Sequence, residues 1–246
     1  MNIIGIIPSR LRSSRLPNKP LVDIEGLPMV IHVLKRAQLC PALKEVYVAT
    51  DSREIFDAVH RHGGKAVMTS DKHQTGTDRV AEAVKDMDVD IVVNIQGDEP
   101  LLDPEHITKV VEPFKKENDL QVAVLVTPYR EKNSFSDIKA VLDKNNNILY
   151  CSRTDLPSDA RNPVDVMWKM CFMVPFRKDF LLKYSSWEQT PLEKTEFNEY
   201  LRILENGYKI RAVPVQGARI SVDTPEDLAK IREYFKQDVL KEKYLP

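Results

Sequence analysis

Short runs of Ile, Val and Leu alternate, through the first half of the chain, with segments whose apolar residues recur every three or four positions. IIGIIP (3–8) is a continuous apolar run of the kind that makes a strand buried on both faces. MVIHVLKRAQL (29–39) has helical spacing, EVYVAT (45–50) reads as a strand, and SREIFDAVHRHGG (52–64) as a helix closed by two glycines. KAVMT follows as a strand and TDRVAEAVKDM (77–87) as a helix; DIVVNIQGDEP (90–100) is an apolar strand that ends in carboxylates. This order of elements predicts a parallel sheet with helices on both faces.

After about residue 118 the pattern changes. QVAVLVTPY, IKAVLD, NILYCSR and KMCFMV read as strands joined by turns. A helical stretch around 190–206 precedes KIRAVPV. TPEDLAKIREYFKQ (224–237) predicts a terminal helix with Thr224 as N-cap and Pro225 at its first position. The expected fold class is α/β, a mostly parallel central sheet with a mixed-sheet extension, in one domain with parts at 1–118, 119–223 and 224–246.

The chain has 246 residues, 42% hydrophobic and 30% charged, with a net charge of −1. Basic residues are therefore concentrated locally rather than in excess, which disfavours nucleic acid or a membrane surface as partner. No apolar run approaches the ~20 residues that span a bilayer. The opening MNIIGIIPSR is not patterned as a secretion signal, so a cytoplasmic protein is expected. Cys40, Cys151 and Cys171 lack CxxC spacing and read as reduced thiols.

Four stretches carry candidate chemistry. PSRLRSSRLPNKPL (8–21) sets Arg10, Arg12, Arg15 and Lys19 among prolines, directly after the first strand. That is the carboxyl edge of the sheet, where open α/β folds bind ligands. Guanidinium forks and an ammonium suit phosphate, though the same residues also fit a solvated charged loop. The loop is neither a Walker loop nor GxGxxG. NIQGDEPLL (94–102) brings Asp98 and Glu99 to the same edge. A carboxylate there can pair with arginines, lead a helix, or hold Mg²⁺ together with substrate phosphates. ISVDTPEDL (220–228) offers Asp223 as a second ligand or as part of a helix start, with Glu226 and Asp227 as first-turn acids. HQTGTDRV (73–80) places Thr75, Gly76 and Thr77 where they cap a helix or read the edge of a base.

In this order the four stretches resemble the cytidylyltransferases that activate 3-deoxy-manno-octulosonate (Kdo), as do VATD, KAVLD with LYCSR, and VDTPEDL. The resemblance runs from Ile3 to about Tyr234. It implies a Rossmann-like nucleotide-diphospho-sugar transferase fold and the reaction CTP + Kdo → CMP-Kdo + diphosphate, for cell-surface polysaccharide synthesis. A Mg²⁺-dependent cytoplasmic homodimer is typical of the family. By family likeness 1–118 binds nucleotide, and 119–223 binds the acceptor and dimerises. Pro8 is implied in the nucleotide site, Arg10, Arg15 and Lys19 at the triphosphate, Gln96 and Asp98 at ribose and metal, Thr75 and Thr77 at the base, and Asp98 with Asp223 on Mg²⁺. Arg10, Arg15, Lys19 and Asp98 would be the catalytic set.

The resemblance also implies Arg153 in the acid-sugar pocket. Where the family usually carries HxGxYxY, this chain reads MCFMVPF (170–176), with Met170 for the histidine and Val174 for the first tyrosine. Glu199-Tyr200-Leu201-Arg202 stands where Glu-Gln-Leu-Arg is usual. If Met170, Val174, Glu199 and Tyr200 line the acceptor, fewer hydrogen-bonding groups face it. A relative of Kdo with fewer hydroxyls, another acidic sugar or a phosphonate is then a competing acceptor. A catalytically weak CTP-binding paralogue is the remaining alternative.

Overall fold

Ile3, Ile4, Ile6 and Ile7 are each no more than 4% exposed and form the spine of β1 (Ile3–Ser9). The computed structural model describes residues 1–11, 13, 15–217 and 221–245. Arg12 and Ile220, both within stretches named above, lie outside the described residues. The chain divides into two units, Met1–Thr108 with Arg219–Pro246, and Lys109–Ala218. The terminal helix thus belongs to the first unit.

In the first unit β1 pairs in parallel with β4 (Glu45–Thr50) on one side and β6 (Ile91–Ile95) on the other. β5 (Lys65–Met68) adds to β4, also in parallel. Each crossover is helical: α1 (Met29–Gln38), α2 (Arg53–Arg61) and α3 (Gly76–Val84). Two short strands, β2 (Asp23–Ile24) and β3 (Leu27–Pro28), form a ribbon before α1. Ser52 and Thr75 cap α2 and α3 through their side chains. All four parallel strands point the same way, so the residues after β1 and β6 emerge at one edge.

A cluster of apolar residues fixes what happens at that edge. Leu16, in the basic loop, packs with Ile24, Met29, Leu101, Val222, Leu228, Ile231 and Phe235. The last three lie on α8 (Pro225–Lys236), which Thr224 caps by accepting from Asp227 N at 3.2 Å, with Asp227 completing a capping box. A loop rich in cations is thereby anchored through its one buried leucine.

α4 (Pro104–Lys116) leads into the second unit, whose sheet order is β12-β7-β10-β8-β9. β7 (Ala123–Tyr129) pairs in parallel with β12 (Arg211–Pro214) and antiparallel with β10 (Met167–Cys171). β8 (Lys139–Leu142) and β9 (Ile148–Ser152) extend it antiparallel, so the sheet is mixed. KMCFMV is not one strand: β10 stops at Cys171 and β11 (Met173–Arg177) begins beyond Phe172. The stretch at 190–206 is likewise two helices, α6 (Pro191–Glu196) and α7 (Leu201–Glu205), following α5 (Lys178–Ser185). Phe197 separates them with a left-handed φ of 52°, a conformation that cannot continue a helix. No described helix is long and apolar enough to cross a membrane.

Candidate active site

Two backbone facts assemble the site. Leu16 and Val222 share one apolar cluster, and Val222 N donates to Asp98 O at 2.9 Å. Their chain neighbours are thereby forced together. Arg15 meets Asp223 at 3.0 Å. Lys19 Nζ donates to Asp98 Oδ2 at 2.7 Å and to Asp223 Oδ1 at 3.1 Å. Residues 79 and 204 positions apart from Lys19 thus share one ammonium.

These groups line a cavity of about 320 Å³ with Pro8, Ser9, Arg10, Ser13, Pro20, Met29, Gln96 and Gly97. Burial works against the charge of Lys19, yet Asp98 first and Asp223 second hold its pKa above the ordinary lysine value. The ammonium therefore stays charged at neutral pH.

Two glycines bring neighbouring segments close to Pro8. A Cβ on Gly97 would lie 3.1 Å from the Pro8 carbonyl oxygen, and one on Gly76 would lie 3.2 Å from Pro8 Cγ. Both glycines permit an approach that a side chain would obstruct. Gln96, Asp98 and the turn before α3 are set around the end of β1 in this way.

The threonines are placed differently from the expected pair of base-facing hydroxyls. Thr75 Oγ1 accepts from Asp78 N at 3.1 Å, capping α3. Thr77 is fully buried, and its Oγ1 accepts from Asn94 Nδ2 at 3.1 Å. Both hydroxyls are used inside the fold because they begin a helix that packs on β1 and β6. What this turn exposes is Gly76 backbone.

Asp98 and Asp223 also define what metal the residues could hold. Both reach one ammonium nitrogen, so two carboxylate oxygens converge on a single cation position. Among the described residues no group of three or more His, Cys, Asp or Glu could hold an ion. A two-carboxylate oxygen set fits Mg²⁺, which keeps several ligands for water and substrate phosphate.

The expected acceptor residues all lie in the second unit, and the structure corrects how several of them are disposed. Met170 is 1% exposed and Val174 is fully buried, so both pack within the unit's interior rather than presenting surface to a ligand. The alternation of a half-buried strand does not apply on β11, where four consecutive residues are buried. Tyr200 is 3% exposed, with its ring stacked on Phe172 at 5.4 Å. Glu199 takes the Tyr184 hydroxyl, at 3.0 Å on its carbonyl and 3.4 Å on its carboxylate.

Arg153 is engaged in the fold. Its Nε donates to Glu196 O (3.1 Å), Nη1 to Phe135 O and Ser136 O (3.0 and 3.2 Å), and Nη2 to Phe197 O (3.2 Å). The guanidinium is a clasp between two loops, and a carboxylate ligand would have to compete with four carbonyls. Cys151 is no nucleophile: burial pushes its thiol up to about 12.

Known proteins match this arrangement along its length. A family model described as cytidylyltransferase matches residues 4–210. The 3-deoxy-manno-octulosonate cytidylyltransferase of Trichlorobacter lovleyi is 40% identical over 251 residues, covering 96% of this chain and 100% of that one. That of Syntrophus aciditrophicus is 41% identical over 239 residues, covering 94% and 96%.

The chain belongs to the 3-deoxy-manno-octulosonate cytidylyltransferase family.

A solved CMP:2-keto-3-deoxy-manno-octonic acid synthetase, in complex with CTP, superposes on this family member with a TM-score of 0.93 at 36% identity. It covers 96% of this chain and 99% of the other. The α/β nucleotidyltransferase fold expected from the motifs is the fold observed. The cavity also takes in Ser9, Ser13, Pro20, Met29 and Gly97, which the sequence did not single out; Ser9 is a hydroxyl at the end of an otherwise apolar strand.

Proposed function

We propose that this protein transfers CMP from CTP to Kdo, releasing diphosphate, with Mg²⁺ as cofactor, in the cytoplasm where CTP is made, and as a homodimer. The observation that carries the reading is the convergence of Arg10, Arg15 and Lys19 with Asp98 and Asp223 on one cavity at the carboxyl edge of a parallel sheet. Three cations suit a triphosphate, and two carboxylates suit the cation that accompanies it.

The reaction is in-line displacement at the α-phosphorus. The anomeric hydroxyl of the acceptor forms the new P–O bond as the bond to the β-phosphate breaks, and the hydroxyl proton passes to solvent. Positioning and charge neutralisation supply such catalysis, and no protein nucleophile is needed. Asp98 and Asp223 would hold Mg²⁺, which when bound neutralises phosphate charge and acidifies the attacking hydroxyl. On nucleotide entry Lys19 and Arg15 exchange their aspartate partners for phosphate oxygens and stabilise the departing diphosphate.

Diphosphate release with each of the four nucleoside triphosphates, over Kdo and a panel of other sugar acids, tests the proposal. The expected result is turnover with CTP and Kdo and at least 100-fold lower kcat/KM with UTP, ATP and GTP. Equal rates with another nucleotide would overturn the CTP assignment, and a clear preference for another acid would replace Kdo.

A further inference from the structure

The cavity holds a polar group that neither the resemblance nor the charge pattern assigns. Ser9, the last residue of β1, is 6% exposed and lies on the cavity wall beside Arg10 and Gly97. Its Oγ has no hydrogen-bond partner among the described residues. Buried hydroxyls are ordinarily paired, because an unpaired one forfeits its hydration for nothing. Other buried side-chain oxygens without such a partner, on Asn2, Asp51 and Asn94, belong to residues that do not line this cavity.

We propose that Ser9 is a substrate-binding residue whose Oγ–H donates a hydrogen bond to a phosphate oxygen of the bound nucleotide; this rests on the reading of the cavity as a nucleoside triphosphate site. Three considerations fix the partner as phosphate. The hydroxyl brings one donor, and it is not committed inside the fold. The cavity wall carries Arg10, Arg15 and Lys19, so the ligand portion that fills it is anionic. Ser9 is also held rigidly, its backbone registered opposite Thr50 in the parallel pair with β4. The backbone is therefore fixed before the ligand arrives, and a single side-chain torsion turns the donor to it, unlike the several torsions of the long arginine side chains around it.

The roles differ accordingly. Arg15 and Lys19 must give up Asp223 and Asp98 to reach phosphate, whereas Ser9 gives up nothing. A neutral donor adds no net attraction at long range but fixes one oxygen of the chain.

The test compares wild type with Ser9→Ala and Ser9→Cys, which remove or weaken the donor at nearly constant volume. Calorimetric titration of CTP with Mg²⁺ and no acceptor reads binding alone, and thermal melts of the ligand-free proteins read the fold. Both variants should bind CTP roughly ten-fold more weakly, as for one hydrogen bond to a charged acceptor. Their ligand-free Tm should be unchanged or higher, since an unpaired buried hydroxyl is lost. Titration with inorganic diphosphate should show the same direction of change if the bonded oxygen is on the β- or γ-phosphate, and CMP should show it if the oxygen is on the α-phosphate.

Wild type that binds CTP alongside a Ser9→Ala variant within two-fold of it overturns the proposal and leaves the nucleotide reading standing. A ligand-free Tm that drops by several degrees in both variants also overturns it, because the hydroxyl then serves the fold. Wild type that does not bind CTP removes the nucleotide reading and this proposal with it.

Discussion

Gly97 shows how much of the site depends on a missing side chain. It sits between Gln96 and Asp98, and its absent Cβ would meet the Pro8 carbonyl oxygen at 3.1 Å and Ile7 Cγ2 at 3.3 Å. The first of these is main chain and cannot rotate away. Gly97→Ala must therefore displace either the end of β1, with Ser9 and Arg10, or the turn that carries Asp98. Small-to-large changes of this kind cost about 1–3 kcal/mol when the surroundings are rigid. We expect kcat/KM for CTP to fall at least ten-fold while the protein stays folded. Gly76→Ala should do less, because its Cβ would meet the end of the Pro8 ring at 3.2 Å. Steady-state kinetics with varied CTP, paired with a melt, checks both; a Gly97→Ala enzyme as active as wild type would show that the approach of these segments is incidental. At this scale the sequence displays residue types but not their partners. Arg15, Lys19, Asp98 and Asp223 stand out as charges at the ends of apolar runs. That one ammonium joins both aspartates follows from burial of Leu16 with Val222, which no local pattern shows.

The elements most legible in the chain are those with a strong period and a chemical stop. β4 begins at Glu45 and ends at Thr50 as its pattern predicts, and α8 starts where Thr224 and Pro225 place it. Where a stop is conformational it is invisible: Phe197 has a left-handed backbone without being glycine or asparagine. α5 follows β11 directly, without a side-chain N-cap bond, and its pattern merges with the strand before it. The 3-10 turn Val239–Lys243 near the C-terminus is also silent in sequence, yet it completes a buried network on α1. His32 Nε2 donates to Ile24 O at 2.7 Å, so the ring nitrogen Nδ1 accepts from the Tyr244 hydroxyl at 3.0 Å. Arg36, fully buried, donates to Asp238 Oδ2 at 2.5 Å and to Leu102 O at 3.1 Å.

Burial, with the Arg36 charge adding to it, outweighs Ile24 O, Asp23 and Asp238 and lowers the His32 pKa below its ordinary value. A histidine that is harder to protonate when folded leaves the unfolded chain binding more protons, so stability falls as pH falls. The contribution is whole above the unfolded value of about 6.5 and is lost progressively from there down to the folded pKa. Tm should therefore decline between pH 7.5 and 5.5, and His32→Asn should flatten that slope from a lower starting Tm. A slope unchanged by the substitution would place the titrating group elsewhere.

At the scale of the molecule, the proposed Mg²⁺ would compete with Lys19 and Arg15 for the same carboxylates. Lys19 Nζ contacts Asp98 and Asp223 while Arg15 contacts Asp223, so the pair is already neutralised from within. Mg²⁺ added alone must displace an ammonium whose pKa those carboxylates raise, and it receives only two protein ligands in return. A triphosphate changes the balance, because it offers Lys19 and Arg15 new partners and supplies further oxygens to the metal. Binding of metal and nucleotide should then be strongly coupled, each improving the other. In melts, Mg²⁺ alone should leave Tm within about a degree of the free protein. CTP with Mg²⁺ at one hundred times its Kd should add about 2.7 kcal/mol by mass action. For a chain of this length that corresponds to a rise of roughly 5–10 °C. Lys19→Ala should invert part of this pattern. The carboxylates lose their internal cation, so Mg²⁺ or Mn²⁺ alone should now raise Tm, while the gain from CTP shrinks with the loss of a phosphate ligand. Manganese binding followed by electron paramagnetic resonance reads the same equilibrium without turnover. Tight Mn²⁺ binding to nucleotide-free wild type, equal to that of Lys19→Ala, would show that the ammonium does not guard the aspartates.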